Sequence, residues 1–253
     1  ITDVDDLNRI LLATRTLLAV DRSQGRVMLV DTGCGTKWAP DQAERYAVQY
    51  DPDAIPSALK AIGLSEDDVT DVVITHLHFD HNGGLTYWYD EPEGPTRLRY
   101  PKAHHWVHRT HWEHANDPHQ KDRASFPSED FVVLGDAEVL QFVEGDQPDP
   151  PYDGVEWLIS HGHTPCQLHP IFGTGHHRLL FVGDLVPTVA HLRPSWVMAY
   201  DVAPLTTISE KETINRRCLE EGWLLAFPHD LEVGGVALDG TVERPIVART
   251  LPL

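Results

Sequence analysis

Short apolar runs alternate with turns rich in glycine, proline and aspartate along most of the chain. Runs of this length, rich in branched and aromatic side chains, predict β-strands with one or both faces buried. A hairpin turn at residues 174–177 is expected between the runs 169–173 and 178–182, and a final strand pair is expected to turn at 238–240. The predicted strands cover residues 10–20, 26–30, 72–74, 131–134, 137–143, 154–160, 169–173 and 178–182.

Two segments have apolar positions at helical spacing. Residues 55–62 form the first, with Pro56 suited to an opening turn. Residues 209–225 form the second, with Ser209 as the predicted N-cap and Glu212 at the spacing of a capping box. Along the chain, predicted strands come first and a predicted helix follows, and this order of elements then occurs a second time. This order predicts an α/β protein in which two β-rich halves are stacked between helices.

The stretch 89–129 is the least regular part of the chain. His104, His108 and His111 share helical spacing, and Trp112 lies close to the same face. These side chains are consistent with a second metal site or with an amphipathic lid helix at the mouth of a pocket, and we favour the lid. A chain of 253 residues can bury one sizeable core, so we expect a single domain, 1–253, with a lid-like insertion at 89–129.

The net charge of −19 excludes several classes of partner. Binding to nucleic acid or to an anionic membrane requires a basic face, and this composition argues against one. No segment has the roughly 18 consecutive apolar residues that a membrane span needs. We therefore expect a small-molecule partner, with no nucleic acid and no membrane span.

The cysteines give a prediction about the compartment. Cys34, Cys166 and Cys218 are an odd number without the spacing of a metal finger, so no disulfide framework is expected. A reducing compartment is the simplest setting for such a chain, and the prediction is a cytoplasmic protein.

The most informative segment is Thr75-His-Leu-His-Phe-Asp-His81, which directly follows the apolar run 72–74. His76 and His78 are two residues apart at the end of a predicted strand, so their side chains point the same way and both nitrogens can reach one cation. The following turn brings Asp80 and His81 toward a second position. Imidazole nitrogen and carboxylate oxygen are ligands that Zn²⁺ takes in catalytic sites.

Further ligands follow other apolar runs. His163 comes after the run 155–159, Asp184 ends the run 179–182, and His229 follows the run 224–227. The ends of adjacent strands lie at one edge of a sheet, so ligands that are distant in sequence become neighbours. The repeated placement of metal-competent side chains at strand ends strengthens the prediction of a metal centre.

Five motifs occur in order along nearly the whole chain. They are Asp31-Thr-Gly33, Thr75-His-Leu-His-Phe-Asp-His81, Gly162-His-Thr-Pro165, Gly183-Asp184 and Pro228-His229. With this set the chain resembles the metallo-β-lactamase-fold hydrolases, and the resemblance implies an α/β fold, the four-layer αββα sandwich.

The resemblance also implies two divalent metal ions and a ligand set. One ion would be held by His76, His78 and His163, and the other by Asp80, His81 and His229, with Asp184 bridging them. Zn²⁺ is the default ion, while Mn²⁺, Fe²⁺ or Co²⁺ fit the same nitrogen and oxygen donors.

Such a pair of ions would hold a bridging hydroxide near neutral pH. The expected reaction is attack of this hydroxide on a lactone or ester carbonyl, with Asp80 passing the proton to the leaving group. Asp31 is either an acceptor for the N–H of a ligand histidine or a plain turn residue.

Within this family, Asp184 argues against the β-lactamases, which lack the bridging carboxylate. The 112–126 insertion and the segment 183–192 resemble the quorum-quenching N-acyl homoserine lactonases and the methyl-parathion-hydrolase-like proteins. Many homoserine lactonases have a tyrosine three residues after the bridging aspartate, where this chain has Pro187. His191 is the candidate replacement as a donor to the substrate carbonyl, or else a histidine satisfied by backbone.

The leading prediction is an enzyme similar to the N-acyl homoserine lactonases, acting on a small lactone or ester. The alternatives are a broad arylesterase or phosphotriesterase, a mononuclear iron dioxygenase of the same fold, and a non-hydrolytic binding protein. A homodimer is also expected, since lids rich in tryptophan and histidine often pack against a partner subunit. The candidates for an apolar substrate wall are Phe79, Trp88, Trp106, Trp112 and Trp196.

Overall fold

The computed structural model describes residues 3–176 and 178–251, so His177 of the predicted hairpin turn lies outside the described residues. The chain divides into two compact units. We call Thr16–Val143 the first unit, and the described residues of 3–15 and 144–251 the second unit.

The first unit contains seven strands and four α-helices. The strands are β1 (Leu17–Asp21), β2 (Arg26–Val30), β3 (Asp71–Val73), β4 (Thr86–Trp88), β5 (Thr96–Leu98), β6 (His104–His108) and β7 (Leu140–Val143). The helices are α1 (Pro40–Tyr46), α2 (Ala54–Ala61), α3 (Phe79–Asn82) and α4 (Arg109–Asn116).

Five of these strands form one sheet in the order β1-β2-β3-β6-β7, and β4 pairs with β5 in a separate hairpin. The β1–β2 pair is antiparallel, and β2, β3, β6 and β7 run parallel. β3 therefore lies in the middle of the sheet, and all three of its residues are buried. Its carboxyl end leads directly into the histidine-rich motif, which starts from a rigid position.

The apolar core of the first unit holds its sheet and helices together. Val72, Ile74 and Leu77 pack with Leu59 of α2 and Val107 of β6 in one cluster of buried apolar side chains. This burial stabilises the sheet, since each fully buried side chain of this kind contributes about 1.5–3 kcal/mol.

Helical spacing was misleading for the histidines of β6. Residues 104–108 form a strand instead, since β6 hydrogen-bonds to β3 on one side and β7 on the other. Burial of His105 and Val107 follows the alternation of a strand, and the helix begins only at Arg109. Residues 131–134 are also not a strand, because Val132–Asp136 forms a 3₁₀ helix.

The described residues of the second unit form six strands and one α-helix. They are β8 (Val155–Ser160), β9 (Gln167–Phe172), β10 (Leu179–Phe181), β11 (Leu224–Ala226), β12 (Gly235–Gly240), β13 (Pro245–Leu251) and α5 (Pro204–Glu221). The sheet order is β13-β12-β11-β10-β9-β8. β10 and β11 are parallel, whereas the other neighbours are antiparallel.

The predicted hairpin of β9 and β10 is confirmed. The predicted start of the long helix is wrong, because α5 begins at Pro204 rather than at Ser209. Proline suits the first helical position, since its missing N–H would have no helical partner there. The last strand pair turns after Gly240 rather than at 238–240. Of the described helices, none has the length and apolar character that crossing a bilayer requires.

Candidate metal centre

In the first unit, the motif brings four metal-competent side chains together. The ring centroid of His76 lies 4.5 Å from that of His78 and 4.1 Å from that of His81. α3 starts at Phe79 and turns the chain, so that Asp80 Oδ2 lies 4.0 Å from His81 Nε2. The three histidines are buried, while Asp80 keeps 26% of its side chain exposed. The motif thus places these four side chains close together.

Asp31 holds this cluster from behind. Its Oδ2 accepts hydrogen bonds from His81 Nδ1 at 2.8 Å and from Thr75 Oγ1 at 2.9 Å, and its Oδ1 accepts one from the Thr75 N–H at 2.9 Å. Thr75 Oγ1 in turn lies 2.9 Å from His76 Nδ1. Of the two sequence-based roles, Asp31 therefore has the first, that of an acceptor for a ligand histidine. With Nδ1 engaged, Nε2 is the nitrogen that would bind a metal ion.

The second unit brings together His163, Asp184 and His229. Asp184 Oδ2 lies 3.4 Å from His163 Nε2, and Asp184 Oδ1 lies 2.9 Å from His229 Nε2. All three side chains are buried. The two oxygens of one carboxylate thus face two different histidines. This is the arrangement expected of a carboxylate that could serve two cations.

These histidines are also oriented through Nδ1. His163 Nδ1 lies 2.9 Å from Asp201 Oδ1, and His229 Nδ1 donates to the Ala13 carbonyl at 2.6 Å. Neither acceptor was among the residues predicted from the sequence. Asp201 lies 38 residues after His163 in a loop without a motif, so only the tertiary structure reveals the contact.

His191 lies in the 3₁₀ helix Val189–Leu192 and is half-buried. Its Nδ1 is 2.8 Å from Thr188 Oγ1. Burial lowers the pKa of His191 below its usual range, and the positive charge of Lys211 lowers it further. The imidazole is therefore neutral near pH 7.

The histidines of the 89–129 stretch do not form a second metal site. Among the described residues, His104, His108 and His111 belong to no group of side chains that could hold a metal ion. His111 Nε2 instead accepts a hydrogen bond from the Leu77 N–H at 2.8 Å, which fixes the motif loop. The alternative of a second metal site in this stretch is therefore wrong.

Trp112 and Phe79, two of the five candidates for the apolar wall, have different surroundings. Trp112 packs against Phe131 and Phe142 in the core, so it does not line a pocket wall. Phe79 precedes Asp80 directly and packs edge-on against Trp38, with a centroid distance of 5.3 Å. Trp38 was not among the predicted residues.

The side chains that the structure places together fit divalent metal ions. Their donor atoms are imidazole nitrogens and carboxylate oxygens, which suit ions such as Zn²⁺, Mn²⁺ and Fe²⁺. Burial and the Nδ1 hydrogen bonds hold the rings in the orientation that metal-binding histidines usually have. The identity of the ion does not follow from this donor set.

The family model of the metallo-beta-lactamase superfamily matches residues 16–229 of this chain. The chain therefore belongs to the metallo-beta-lactamase superfamily. The chain superimposes on a probable metal-dependent hydrolase from Staphylococcus aureus with a TM-score of 0.81 and 23% identity, covering 99% of this chain and 87% of the other.

A second structure, AidC, is a dizinc quorum-quenching lactonase in complex with a product. It gives a TM-score of 0.74 at 17% identity, over 96% of this chain and 81% of AidC. These likenesses confirm the predicted metallo-β-lactamase fold of the α/β class.

Similarity in sequence extends to the N-acyl homoserine lactonases. AiiB of Agrobacterium fabrum is 36% identical over an alignment of 87 residues, and the match covers 29% of this chain and 32% of AiiB. AiiA of Bacillus thuringiensis subsp. kurstaki is 29% identical over 114 residues, which are 45% of this chain and 36% of AiiA. The match thus spans about a third of the length of these relatives. It supports the prediction of a metal-dependent hydrolase and leaves the substrate to be proposed.

Proposed function

We propose that this protein is a binuclear metal hydrolase that opens lactones, with N-acyl homoserine lactones as the leading substrate class. Family membership and the resemblance of the motifs support one ion on His76, His78 and His163. They support a second ion on Asp80, His81 and His229, with Asp184 shared between the two.

The observation that carries this proposal is the position of the Asp184 carboxylate. Its Oδ2 faces His163, which is assigned to one ion, and its Oδ1 faces His229, which is assigned to the other. A mononuclear site would not require one buried carboxylate to serve two histidines. Two ions, by contrast, need a shared anion to offset their mutual repulsion.

A pair of bound divalent ions would supply a hydroxide nucleophile at neutral pH and would polarise the substrate carbonyl. The chain's own residues then manage protons and orientation. Asp80 is the partly exposed carboxylate of the site, so it can exchange a proton with a leaving group that enters from solvent. Asp31 and Asp201 accept the N–H of His81 and His163 and keep Nε2 directed toward the ions.

His191 is the proposed donor to the substrate carbonyl. When the Thr188 hydroxyl donates to Nδ1, the proton of the neutral ring is on Nε2, where it can be donated. We expect His191→Phe to lower kcat about a hundredfold while metal content stays unchanged. The control is His176→Phe, which alters an exposed histidine. If His191→Phe keeps the wild-type kcat, His191 is a structural residue held by Thr188.

An aromatic cluster beside the motif supports an apolar substrate. Trp38, Tyr46 and Phe79 pack together with ring centroids 5.3–5.9 Å apart, and Phe79 is bonded directly to Asp80. An apolar surface next to the proton-transferring group suits an acyl chain better than a charged substrate. The lactonase relatives favour the same class of substrate.

A hydrolysis panel tests the substrate class. The metal-loaded protein is assayed with acyl homoserine lactones of short and long chain, an aryl ester, a phosphotriester and a cephalosporin. Acid released from the lactones alone, with kcat/KM rising with chain length, is the expected result. Faster turnover of the aryl ester or phosphotriester would replace lactonase by the broader esterase or phosphotriesterase. Asp184→Asn should abolish turnover, whereas Asp149→Asn, at an exposed position, should not.

Elemental analysis tests the metal content independently. Two ions per chain, with zinc as the proposed ion, are expected in the protein as purified. One iron per chain, together with oxygen consumption, would favour the mononuclear dioxygenase. Metal binding without turnover of any substrate would favour the non-hydrolytic binding protein.

A further inference from the structure

Residues 13–15, which belong to the second unit, make a set of hydrogen bonds to the turn that contains His229. The N–H of Ala13 donates to the His229 carbonyl at 3.1 Å, and the N–H of Arg15 donates to the Pro228 carbonyl at 2.9 Å. The Ala13 carbonyl accepts from His229 Nδ1 at 2.6 Å. Residues 13–15 therefore lie as a strap along the turn Phe227–Asp230, where His229 is located.

Arg15 extends this contact with its side chain. Its two terminal nitrogens donate to the carbonyls of Phe227 and Asp230, at 2.8 Å and 2.7 Å. These carbonyls belong to residues on either side of Pro228 and His229. One planar guanidinium thus spans the turn, a geometry that the single ammonium of lysine does not reproduce.

The opposite side of the turn is held by other groups. The His229 N–H donates to the Pro187 carbonyl at 3.1 Å, and Asp230 Oδ2 accepts from the Val189 N–H at 3.0 Å. The turn is therefore fixed from both sides. Because His229 Nδ1 donates to the Ala13 carbonyl, the orientation of the ring depends on the position of the strap.

We propose that Arg15 is a positioning residue for His229, and that it sets the affinity of the metal ion that His229 binds. This inference rests on the proposed binuclear site. His163 has its own support, the carboxylate of Asp201 at 2.9 Å. Loss of Arg15 should therefore weaken the binding of one ion and leave the other in place.

The test compares metal retention in Arg15→Ala, Arg15→Lys and wild type during titration with a competing chelator. Arg9→Ala is the matched control, because Arg9 lies in the same segment and pairs with Asp5 rather than with the turn. Metal per chain and the thermal unfolding midpoint are measured on the same samples. Cobalt-substituted protein adds an absorption spectrum that reports each ion's coordination.

We expect wild type and Arg9→Ala to hold two ions over the same chelator range. Arg15→Ala should lose one ion at a chelator concentration about 10- to 100-fold lower and keep the other, and Arg15→Lys should fall between them. Retention of both ions in Arg15→Ala, as tightly as in wild type, would overturn the inference. So would parallel loss of both ions with a collapse of the unfolding midpoint. A wild-type protein with fewer than two ions would overturn the proposed function, and the inference with it.

Discussion

The groups that accept the Nδ1–H of the proposed ligand histidines differ in charge from one histidine to the next. His81 and His163 have carboxylates at Nδ1, His76 has the Thr75 hydroxyl, and His229 has a backbone carbonyl. A carboxylate acceptor makes the imidazole a stronger metal donor, because it stabilises the positive charge that develops on the ring. These four histidines are therefore not equivalent as potential ligands, although they are the same residue type.

Asp31→Asn tests the role of the carboxylate behind His81. The amide removes a charge that supports His81 directly and His76 through Thr75. We expect metal affinity to fall about 10- to 100-fold. Chelator competition measures the change, with Asp41→Asn as the exposed control on α1. Unchanged affinity in Asp31→Asn would show that the contact only stabilises the fold.

Asp80→Asn tests proton transfer. Asparagine keeps an oxygen that can bind a metal ion, but it cannot carry a proton to the leaving group. We expect kcat to fall by about 10²- to 10⁴-fold while circular dichroism stays the same. Steady-state kinetics on the best substrate of the panel, together with metal analysis, measure the effect. Near-full activity in this variant would remove Asp80 from the mechanism.

At the scale of elements, the start of α5 packs against the turn that carries His163. Glu210 accepts the N–H groups of His161 and Gly162, at 2.7 Å and 3.1 Å, and the Ala203 N–H donates to the Gly162 carbonyl at 2.8 Å. A Cβ at Gly162 would lie 2.3 Å from Thr207 Oγ1 and 2.4 Å from its backbone nitrogen. Only glycine fits this close approach of turn and helix.

Gly162→Ala should therefore lower the free energy of unfolding by about 2–3 kcal/mol, since the backbone of α5 must move to admit the methyl group. Urea unfolding followed by circular dichroism gives the value. Gly154→Ala is the control, because its Cβ would meet no atom within 4 Å and its positive φ alone costs about 1 kcal/mol. Equal losses in the two variants would refute the steric account.

Some secondary-structure elements could be predicted from the sequence pattern, whereas for others the pattern was ambiguous. β2 and the β9–β10 hairpin were predictable because their apolar runs are short and bounded by turns. The histidines of β6 were not, since positions 104, 108 and 111 fit a helix while the buried residues His105 and Val107 fit a strand. Pairing with β3 and β7 decided between the two, and this information is not local.

At the scale of the whole molecule, each unit has a core that encloses a neutral histidine. Burial lowers the pKa of His105, in the first unit, to about 4 and that of His169, in the second, to about 3. In the unfolded chain both would titrate near 6.5. Below pH 6.5 the unfolded state therefore binds more protons than the folded state, and stability falls as the pH falls.

We expect the free energy of unfolding of metal-free protein to drop by about 3 kcal/mol between pH 6.5 and 5 from these two groups. Urea unfolding at several pH values measures the slope. His105→Leu should reduce the proton uptake on unfolding by about one, whereas His119→Leu, at an exposed position, should not. An unchanged slope in His105→Leu would contradict the burial argument.

Two predictions about the whole molecule stay open to experiment. The homodimer is tested by sedimentation at several concentrations, and a single species at the monomer mass would refute it. The cytoplasmic location is tested by fractionation of the source cells.

The sequence by itself determined the candidate donor atoms and the family. The four candidate ligands of the first motif lie within six consecutive residues, so their chemistry can be recognised without a fold, and the positions of His163, Asp184 and His229 after apolar runs followed the same logic. The resemblance drew on these local patterns, and the superfamily match confirms it.

Only the tertiary structure decided which groups hold those donors in place. Asp201 and Ala13 contact their histidines across 38 and 216 residues, and Arg15 reaches the His229 turn across 212. No periodicity connects positions so far apart, because such contacts arise when separate elements pack and their polar groups must find partners. The candidate ligands can thus be identified from the sequence, while their orientation is a property of the fold.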